Sequence, residues 1–366
     1  MSYLLKDLYS PAFYDRFAAT LQQTLPGFDK KRFIASIFDA DWPARELKAR
    51  ARHTARVMRL FMPDNFEEAA RLIADTIDRL MREETKAGIE FMFFPDYIEL
   101  YGLERFDTST HAMEAVTRFI SCEFAVRPFL LKYDQRMIEK MHEWSLHEDY
   151  RVRRLASEGT RPRLPWAMAV PALKKDPTRV LPLLENLRND PSEWVRKSVA
   201  NHLNDISKDH PDMALAIARA WRGVGKETDA IVKHACRTLL KQGHPEILEY
   251  YGLQSKDLVV SNVMIQNPTL KIGDDLHFSF TIQNTAPTPQ TIRLEYGIYY
   301  LRQNGQHNKK VFKISERQLA PEETIHIIKK QSFRIITTRK FYLGQQHLSV
   351  IANGQEHAKL HFEIVN

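Results

Sequence analysis

Two copies of one helical unit decide the fold of this chain: HEDYRVRRLASEGTRPRLPW (residues 147–166) and DPSEWVRKSVANHLNDISKDHP (residues 190–211). Val152-Arg153-Arg154 in the first copy aligns with Val195-Arg196-Lys197 in the second, at an offset of 43 residues. Helical repeats of the HEAT type have a period of about 40–47 residues, and they stack because no single repeat can bury its apolar face alone. The sequence therefore predicts an α-solenoid.

The second copy divides its residues between two faces. Positions three, four and seven apart share one face of a helix, so the apolar stripe predicted to enter the core consists of Val195, Val199, Leu203 and Ile206. The neighbouring polar stripe consists of Lys197, Asn201, Asp205 and Lys208, and the corresponding face of the first copy carries Arg154, Glu158 and Arg161. Aligned in a solenoid, these faces predict a concave, cationic groove with carboxylates inside it. The alternative for any single charged residue is an ordinary solvated helix face.

Positive charge is concentrated in this part of the chain. Residues 150–197 contain 11 basic and 5 acidic residues, whereas the rest of residues 1–252 has a net charge of −4. The whole chain has a formal net charge of +7 and a pI near 9.2. A basic strip on a nearly neutral background is typical of a surface that follows phosphates.

The composition excludes several other classes of protein. Hydrophobic residues make up 43% and charged residues 27% of the 366 residues, as in a soluble globular protein. No apolar run has the length of a membrane span, and the charged N-terminal segment does not have the pattern of a signal peptide. The two distant cysteines favour a reducing compartment, the bacterial cytosol or nucleoid. Without CxxC, HExxH, GxGxxG or P-loop motifs, we expect neither a metal nor a cofactor, and a monomer is the default.

The character of the sequence changes near residue 252. Residues 1–252 have helical periodicity, including an aromatic-rich segment, FMFFPDYIELYGLERF, that is predicted to be buried with Pro95 breaking a helix. Residues 257–366 contain about seven short alternating runs separated by turn residues, which predict an immunoglobulin-like β-sandwich. The fold class is therefore a multidomain α-then-β chain, with a helical solenoid over 1–252 and a sandwich over 257–366. The sandwich is also basic, which fits either the same anion or a protein-binding module.

Glu123 interrupts an apolar stripe. A helix predicted over 111–124 places Glu123 on the same face as Val116, Phe119 and Ile120. An unpaired carboxylate is costly there, so Glu123 needs either an ion pair, with Arg127 one turn later, or a functional purpose.

Trp166 follows Pro165, which is predicted to start the next helix. Trp166 would then lie at the mouth of the cationic strip, where it either stacks on a base or cationic ring or belongs to the core.

Several motifs at consistent spacing resemble those of one family. SCEFAVRPF (residues 121–129), RRLASEGTRPRLPW (153–166) and VRKSVANHLNDISKDHP (195–211) are similar to the AlkC branch of the HEAT-like-repeat DNA glycosylases. The resemblance covers residues 1–252, and many AlkC-type proteins also carry an immunoglobulin-like domain. It implies a monofunctional glycosylase that removes 3-methyladenine and 3-methylcytosine from alkylated double-stranded DNA without flipping the base into a deep pocket.

The resemblance also implies roles for individual residues. Glu123 and Asp205 would be the catalytic carboxylates, and Trp166 would contact the lesion. The cations expected to contact DNA are Arg154, Arg161, Arg163, Lys197 and Lys208. Glu158 is interpreted as helix-terminal and structural.

A second hypothesis is a solenoid without catalytic activity that binds nucleic acid or a protein partner through the same groove. A pure phosphate binder would gain nothing from carboxylates at positions 123 and 205, which favours the enzyme. The sandwich is expected to clamp the duplex from the side opposite the solenoid.

Overall fold

A computed structural model describes residues 4–336 and 339–366. Over these residues it contains 16 α-helices: α1 (Pro11–Thr24), α2 (Lys30–Ile37), α3 (Leu47–Arg59), α4 (Phe66–Arg82), α5 (Phe93–Gly102), α6 (Phe106–Thr117), α7 (Val126–Tyr133), α8 (Gln135–Trp144), α9 (Tyr150–Gly159), α10 (Pro171–Lys175), α11 (Leu181–Leu187), α12 (Glu193–Ile206), α13 (Pro211–Ala220), α14 (Lys226–Ala235), α15 (Arg237–Gln242) and α16 (Pro245–Tyr250). Short 3-10 helices lie at Leu5–Leu8, Trp42–Ala44, Ile89–Phe91 and Thr178–Val180. No helix in these ranges combines the length and the apolarity that crossing a bilayer requires.

The two sequence copies correspond to α9 and α12, which pack against each other, and α14 packs on the other side of α12. Asp149 caps α9 by accepting a hydrogen bond from the Arg151 amide at 2.8 Å. The predicted apolar stripe of α12 is buried along its full length, from Val195 to Ile206. Burying a valine or leucine side chain contributes roughly 1.5–3 kcal/mol, so this stripe fixes which face of α12 remains for the polar residues.

The chain divides into two compact units. The first comprises Met1–His210 and Ile217–Ala235, and the second comprises Pro211–Ala216 and Cys236–Asn366. Within the second unit Gly243 approaches Gly354 so closely that a Cβ on Gly243 would lie 2.7 Å from the Gly354 carbonyl oxygen. Both glycines have positive φ angles, +71° and +77°, which residues with a side chain rarely adopt. Residues 236–252 therefore pack with the strands that follow them.

The second unit contains the predicted sandwich. Its eight strands, in the part of the chain that the structure describes, are β1 (Leu258–Ile265), β2 (Thr269–Lys271), β3 (Asp275–Asn284), β4 (Gln290–Leu301), β5 (His307–Leu319), β6 (Thr324–Ser332), β7 (Gly344–Ala352) and β8 (Gln355–Val365). They form sheets of order β1-β3-β6 and β2-β8-β7-β4-β5. All seven predicted strands are present. The additional strand, β2, has three residues and pairs in parallel with β8, so it is too short to show an alternating pattern.

Three local predictions in the helical part are wrong. The helix expected to reach residue 124 ends at Thr117, whose hydroxyl accepts a hydrogen bond from the Cys122 amide at 3.3 Å and turns the chain before α7. Pro165 starts no helix, because a loop continues to α10 at Pro171. Pro95 breaks no helix either: it lies in the first turn of α5, where a missing amide proton costs nothing.

Candidate active site

Glu123 lies in the turn that precedes α7, with its side chain 20% exposed. Its carboxylate accepts hydrogen bonds from the Ser121 hydroxyl and from Arg154 Nη1, both at 2.9 Å. The partner is therefore Arg154 of α9 and not Arg127. The Arg127 guanidinium instead donates to the backbone carbonyls of Gly159, Arg161 and Met168, which fixes the loop that follows α9.

Glu158 is the carboxylate of α9. Arg154 Nη2 lies 3.8 Å from Glu158 Oε2, so Arg154 is placed between the two glutamates. Glu158 also accepts hydrogen bonds from Arg161 Nη1 and from the Ser198 hydroxyl of α12, each at 2.6 Å. This carboxylate is almost fully buried, and arginine or hydroxyl donors reach both of its oxygens. Its spacing of four residues from Arg154 and three from Arg161 is the sequence signal of this arrangement.

Arg161 connects Glu158 to Asp205. Its Nε donates to Asp205 Oδ2 at 2.9 Å, and the other oxygen of Asp205 lies 3.0 Å from Lys208 Nζ. Burial lowers the pKa of Arg161, but the Glu158 and Asp205 carboxylates outweigh this effect and raise the pKa above its ordinary value. The five side chains from Arg154 to Lys208, together with Glu123, form a continuous series of alternating charges. We call this series the ion-pair network of Glu123, Arg154, Glu158, Arg161, Asp205 and Lys208.

A cavity of about 390 Å³ lies beside this ion-pair network. Its charged and polar lining consists of Asp96, Ser121, Glu123, Glu158 and Arg161, and its apolar lining consists of Ile89, Met92, Pro95, Ile120, Phe124, Leu164, Pro165 and Trp166. Asp205 is outside this lining. It is 2% exposed and lies behind Arg161, so the structure links it to Glu123 through the arginines rather than by facing it across the cavity.

Trp166 lines this cavity with a side chain that is 62% exposed. Its φ angle of +66° is in the left-handed region, which is costly for a bulky residue and needs support from its surroundings. Lys48 of α3 supplies that support, since its ammonium group donates to the Trp166 carbonyl oxygen and lies 4.8 Å from the centre of the Phe124 ring. The indole is therefore held at the rim and is not part of the core.

Of the five predicted DNA-contacting cations, Arg161 alone is in the described cavity lining, and Arg163 and Lys197 also lie outside the ion-pair network. Arg163 forms a two-pronged ion pair with Asp209, at 2.7 and 3.1 Å, and its side chain is 39% exposed. Lys197 is 68% exposed and pairs with Glu193 at 2.7 Å, on the rim of a second concavity of about 310 Å³ between α12 and α14. Both cations remain accessible to a phosphate that competes with their carboxylate partners.

Two acidic residues of the cavity were not among the functional residues predicted from the sequence. Glu158 was interpreted as structural, yet it also lines the cavity between two arginines. Asp96 was included in an apolar segment, and no periodicity marks it, because its position depends on how α5 packs beside the turn that holds Glu123.

Comparisons with known proteins identify the family of the chain. The model of the family described as DNA alkylation repair enzyme matches residues 35–239, and that of the C-terminal Ig-like domain of uncharacterised protein YhaZ matches residues 259–366. The chain is 41% identical to the uncharacterized protein YhaZ of Bacillus subtilis (strain 168), over 98% of this chain and 99% of that protein. It is 33% identical, with a TM-score of 0.94 and complete coverage of both chains, to Pseudomonas fluorescens alkylpurine DNA glycosylase AlkC, solved bound to DNA containing an abasic site analogue.

These similarities confirm the resemblance to the AlkC branch and the order of a helical part followed by an immunoglobulin-like domain. The family model covers more than half of the chain, and the bacterial relative aligns over nearly all of it. The chain belongs to the DNA alkylation repair enzyme family.

Proposed function

We propose that this protein is a monofunctional DNA glycosylase that hydrolyses the N-glycosidic bond of cationic N3-alkylated bases, 3-methyladenine and 3-methylcytosine, in double-stranded DNA. The observation that carries the proposal is the ion-pair network beside a cavity with an exposed tryptophan at its rim. The similarity to a glycosylase solved on DNA supports the reaction class.

The chemistry needs few groups because the substrate is already activated. Methylation at N3 makes the base a cation, and the electron pair of the C1′–N bond leaves with it without a strong general acid. The developing sugar cation needs a fixed negative charge, and the water that forms the new C1′–O bond must lose a proton. Glu123 is suited to both tasks, since its carboxylate reaches the cavity and Ser121 and Arg154 hold it in place.

Asp205 is the second catalytic carboxylate of the proposal. In the free protein Arg161 and Lys208 neutralise it. Lys208 is partly exposed at the end of α12, so a DNA phosphate can attract its ammonium group away from Asp205. Asp205 would then be less neutralised, and its negative charge would act on the sugar cation through space from its buried position beside Arg161. Arg154, Arg161, Arg163 and Lys197 complete the proposed set of DNA contacts.

The base is proposed to react without insertion into a deep pocket. Glu123 and Trp166 are both accessible at the rim of the cavity, so a lesion at the surface of the duplex can meet them. Selection would then rest on the charge of the lesion and its weakened bond, and not on a shape-matched recess.

The test is release of free base. The purified protein is incubated with methylated duplex DNA, without added metal or nucleotide, and the released bases are separated by chromatography. We expect 3-methyladenine and 3-methylcytosine to appear, with abasic sites in equal amount. Binding of the DNA without release of either base would contradict the proposal and favour a scaffold that only binds nucleic acid.

Replacing Trp166 with alanine tests the aromatic contact. An aromatic face beside a cationic base contributes roughly 0.5–2 kcal/mol, so we expect W166A to excise 3-methyladenine about 2–30 times more slowly than the wild type. The control is Y150A, because Tyr150 is also an exposed aromatic residue and lies outside the cavity lining. Single-turnover rates at saturating enzyme measure both variants. Equal rates for W166A and Y150A would remove Trp166 from the site.

A further inference from the structure

Asp96 is a carboxylate of the cavity that the proposed mechanism does not use. It lies in the first turn of α5 and lines the same cavity as Glu123, Glu158 and Trp166. Within residues 4–336 and 339–366 its side chain forms neither a hydrogen bond nor a salt bridge; Arg52 and Lys48 of α3 act on it only through space. The other acids described above each have a cationic partner.

The partners of those two cations explain why Asp96 remains without one. Arg52 donates to Glu99, one turn further along α5, at 2.6 Å. Lys48 is held by the Trp166 carbonyl oxygen and the Phe124 ring. Both positive charges near Asp96 are therefore already engaged elsewhere.

Charge is balanced among the six residues from Glu123 to Lys208. The ion-pair network contains three carboxylates and three cations, so it is neutral as a whole. Asp96 adds one negative charge to a cavity whose remaining lining is mostly apolar. Lys48 is not part of this lining and is held by the Trp166 carbonyl oxygen, so a positively charged ligand in the cavity, such as an alkylated base, would be the group that faces Asp96 directly.

We propose that Asp96 is a specificity-determining residue that recognises the positive charge of the alkylated base. This inference rests on the proposed function. A neutral base gains nothing from the carboxylate, whereas a cationic base gains a counter-charge in a partly desolvated site, where charges interact more strongly than in water. Selection for charged lesions would then begin at binding, before the sugar–base bond weakens.

The surroundings of Asp96 also make its charge depend on pH. The pKa of Asp96 is raised from 3.8 to about 7, mainly by burial and also by the Glu99 carboxylate, while Arg52 and Lys48 act to lower it. The other titratable or charged groups around the cavity are the buried Tyr9, on which the charge of Asp96 acts, and Glu123, Glu158 and Arg161. Asp96 therefore gains its charge near neutral pH.

The first experiment is a pH profile of single-turnover excision of 3-methyladenine from pH 5.5 to 8.5. We expect the wild-type rate to rise with pH, with a midpoint near 7. D96N should show a flat profile. Its rate should lie about tenfold below the wild-type plateau, because losing the attraction between Asp96 and the cationic base costs on the order of a factor of ten, the equivalent of one pKa unit in free energy. D96E retains a carboxylate and should restore the rise.

The matched control is E99Q, on the same helix but outside the cavity lining. Since Glu99 raises the pKa of Asp96, its removal should move the midpoint of the profile to lower pH while the plateau rate is retained. A purely structural role of Asp96 would change the rate of D96N at every pH and leave the midpoint of E99Q at its wild-type value.

A second experiment follows the titration without catalysis. Because the folded-state pKa of Asp96 is raised, the folded protein binds more protons than the unfolded chain between about pH 4 and pH 7, so wild-type stability falls as pH rises through that window. Asparagine does not titrate. The thermal midpoint of D96N, relative to the wild type, should therefore increase from pH 5 to pH 8, and a constant difference would count against the inference.

The two experiments separate the inference from the proposed function. Wild-type protein that releases no base at any pH overturns the proposed function and this specificity role with it. An active wild type whose profile D96N reproduces in both midpoint and rate overturns the role of Asp96 alone.

Discussion

Replacing Arg161 with methionine is expected to lower the free energy of unfolding of the helical unit by about 3–5 kcal/mol, the usual cost of removing one partner from a buried ion pair. Arg161 is the only described cation that hydrogen-bonds to both Glu158 and Asp205. Methionine has a similar length but no charge, so one carboxylate would retain Lys208 and the other only the more distant Arg154. Excision should fall as well, because Glu158 and Arg154 lose their fixed geometry.

Tryptophan fluorescence measures the unfolding of the helical part of the chain. All five tryptophans lie between residues 42 and 221, so their emission during urea unfolding reports on the helical part and not on the sandwich. The matched control is R163M, two residues further along. Arg163 also binds an aspartate, but its exposed ion pair should contribute only about 0–1 kcal/mol. Equal losses of unfolding free energy for R161M and R163M would show that the buried ion pairs of Arg161 stabilise the protein no more than the exposed ion pair of Arg163.

The sequence was sufficient to predict the architecture because the signals were long. A 43-residue repeat and seven alternating runs each depend on many residues, so a single misplaced position changes little. The same property explains why Arg154, Glu158, Arg161, Asp205 and Lys208 could be expected near one another. These residues lie on α9 and α12 or directly after the ends of these helices, and the two helices pack together.

Local geometry was harder to predict. The helix expected to carry Glu123 ends at Thr117, six residues before Glu123. The Thr117 hydroxyl accepts a hydrogen bond from the Cys122 amide, and this bond competes with helix continuation. The loop at Trp166 depends on Lys48, which is 118 residues away in sequence. Asp96 enters the cavity only through the packing of α5. Contacts of this kind leave no periodic pattern, so a single sequence cannot reveal them.

The largest effect on activity is expected from the two carboxylates that the proposal makes catalytic. Glu123→Gln and Asp205→Asn each keep the shape of the side chain and remove its charge, so each should lower the single-turnover rate of 3-methyladenine excision by at least about 100-fold, the loss typical of removing one fixed electrostatic contact to a transition state. Thermal unfolding should show that both variants remain folded, since Arg154 and Arg161 each keep a second carboxylate, Glu158.

Asp209→Asn is the matched control for both substitutions. It makes the same chemical change one turn beyond Asp205, but it removes only the exposed partner of Arg163, and its rate should remain close to that of the wild type. The contrast between the two carboxylates then distinguishes their roles. Glu123 reaches the cavity directly, whereas Asp205 depends on a phosphate attracting Lys208 away from it. If D205N alone retains wild-type activity, Asp205 only holds Arg161 in place. If E123Q also excises at the wild-type rate, the proposed chemistry is wrong. Ser121 and Arg154 both donate to one oxygen of Glu123. Glu158, which also lines the cavity, is buried and has donors on both of its oxygens, so it is not free to take a proton from water.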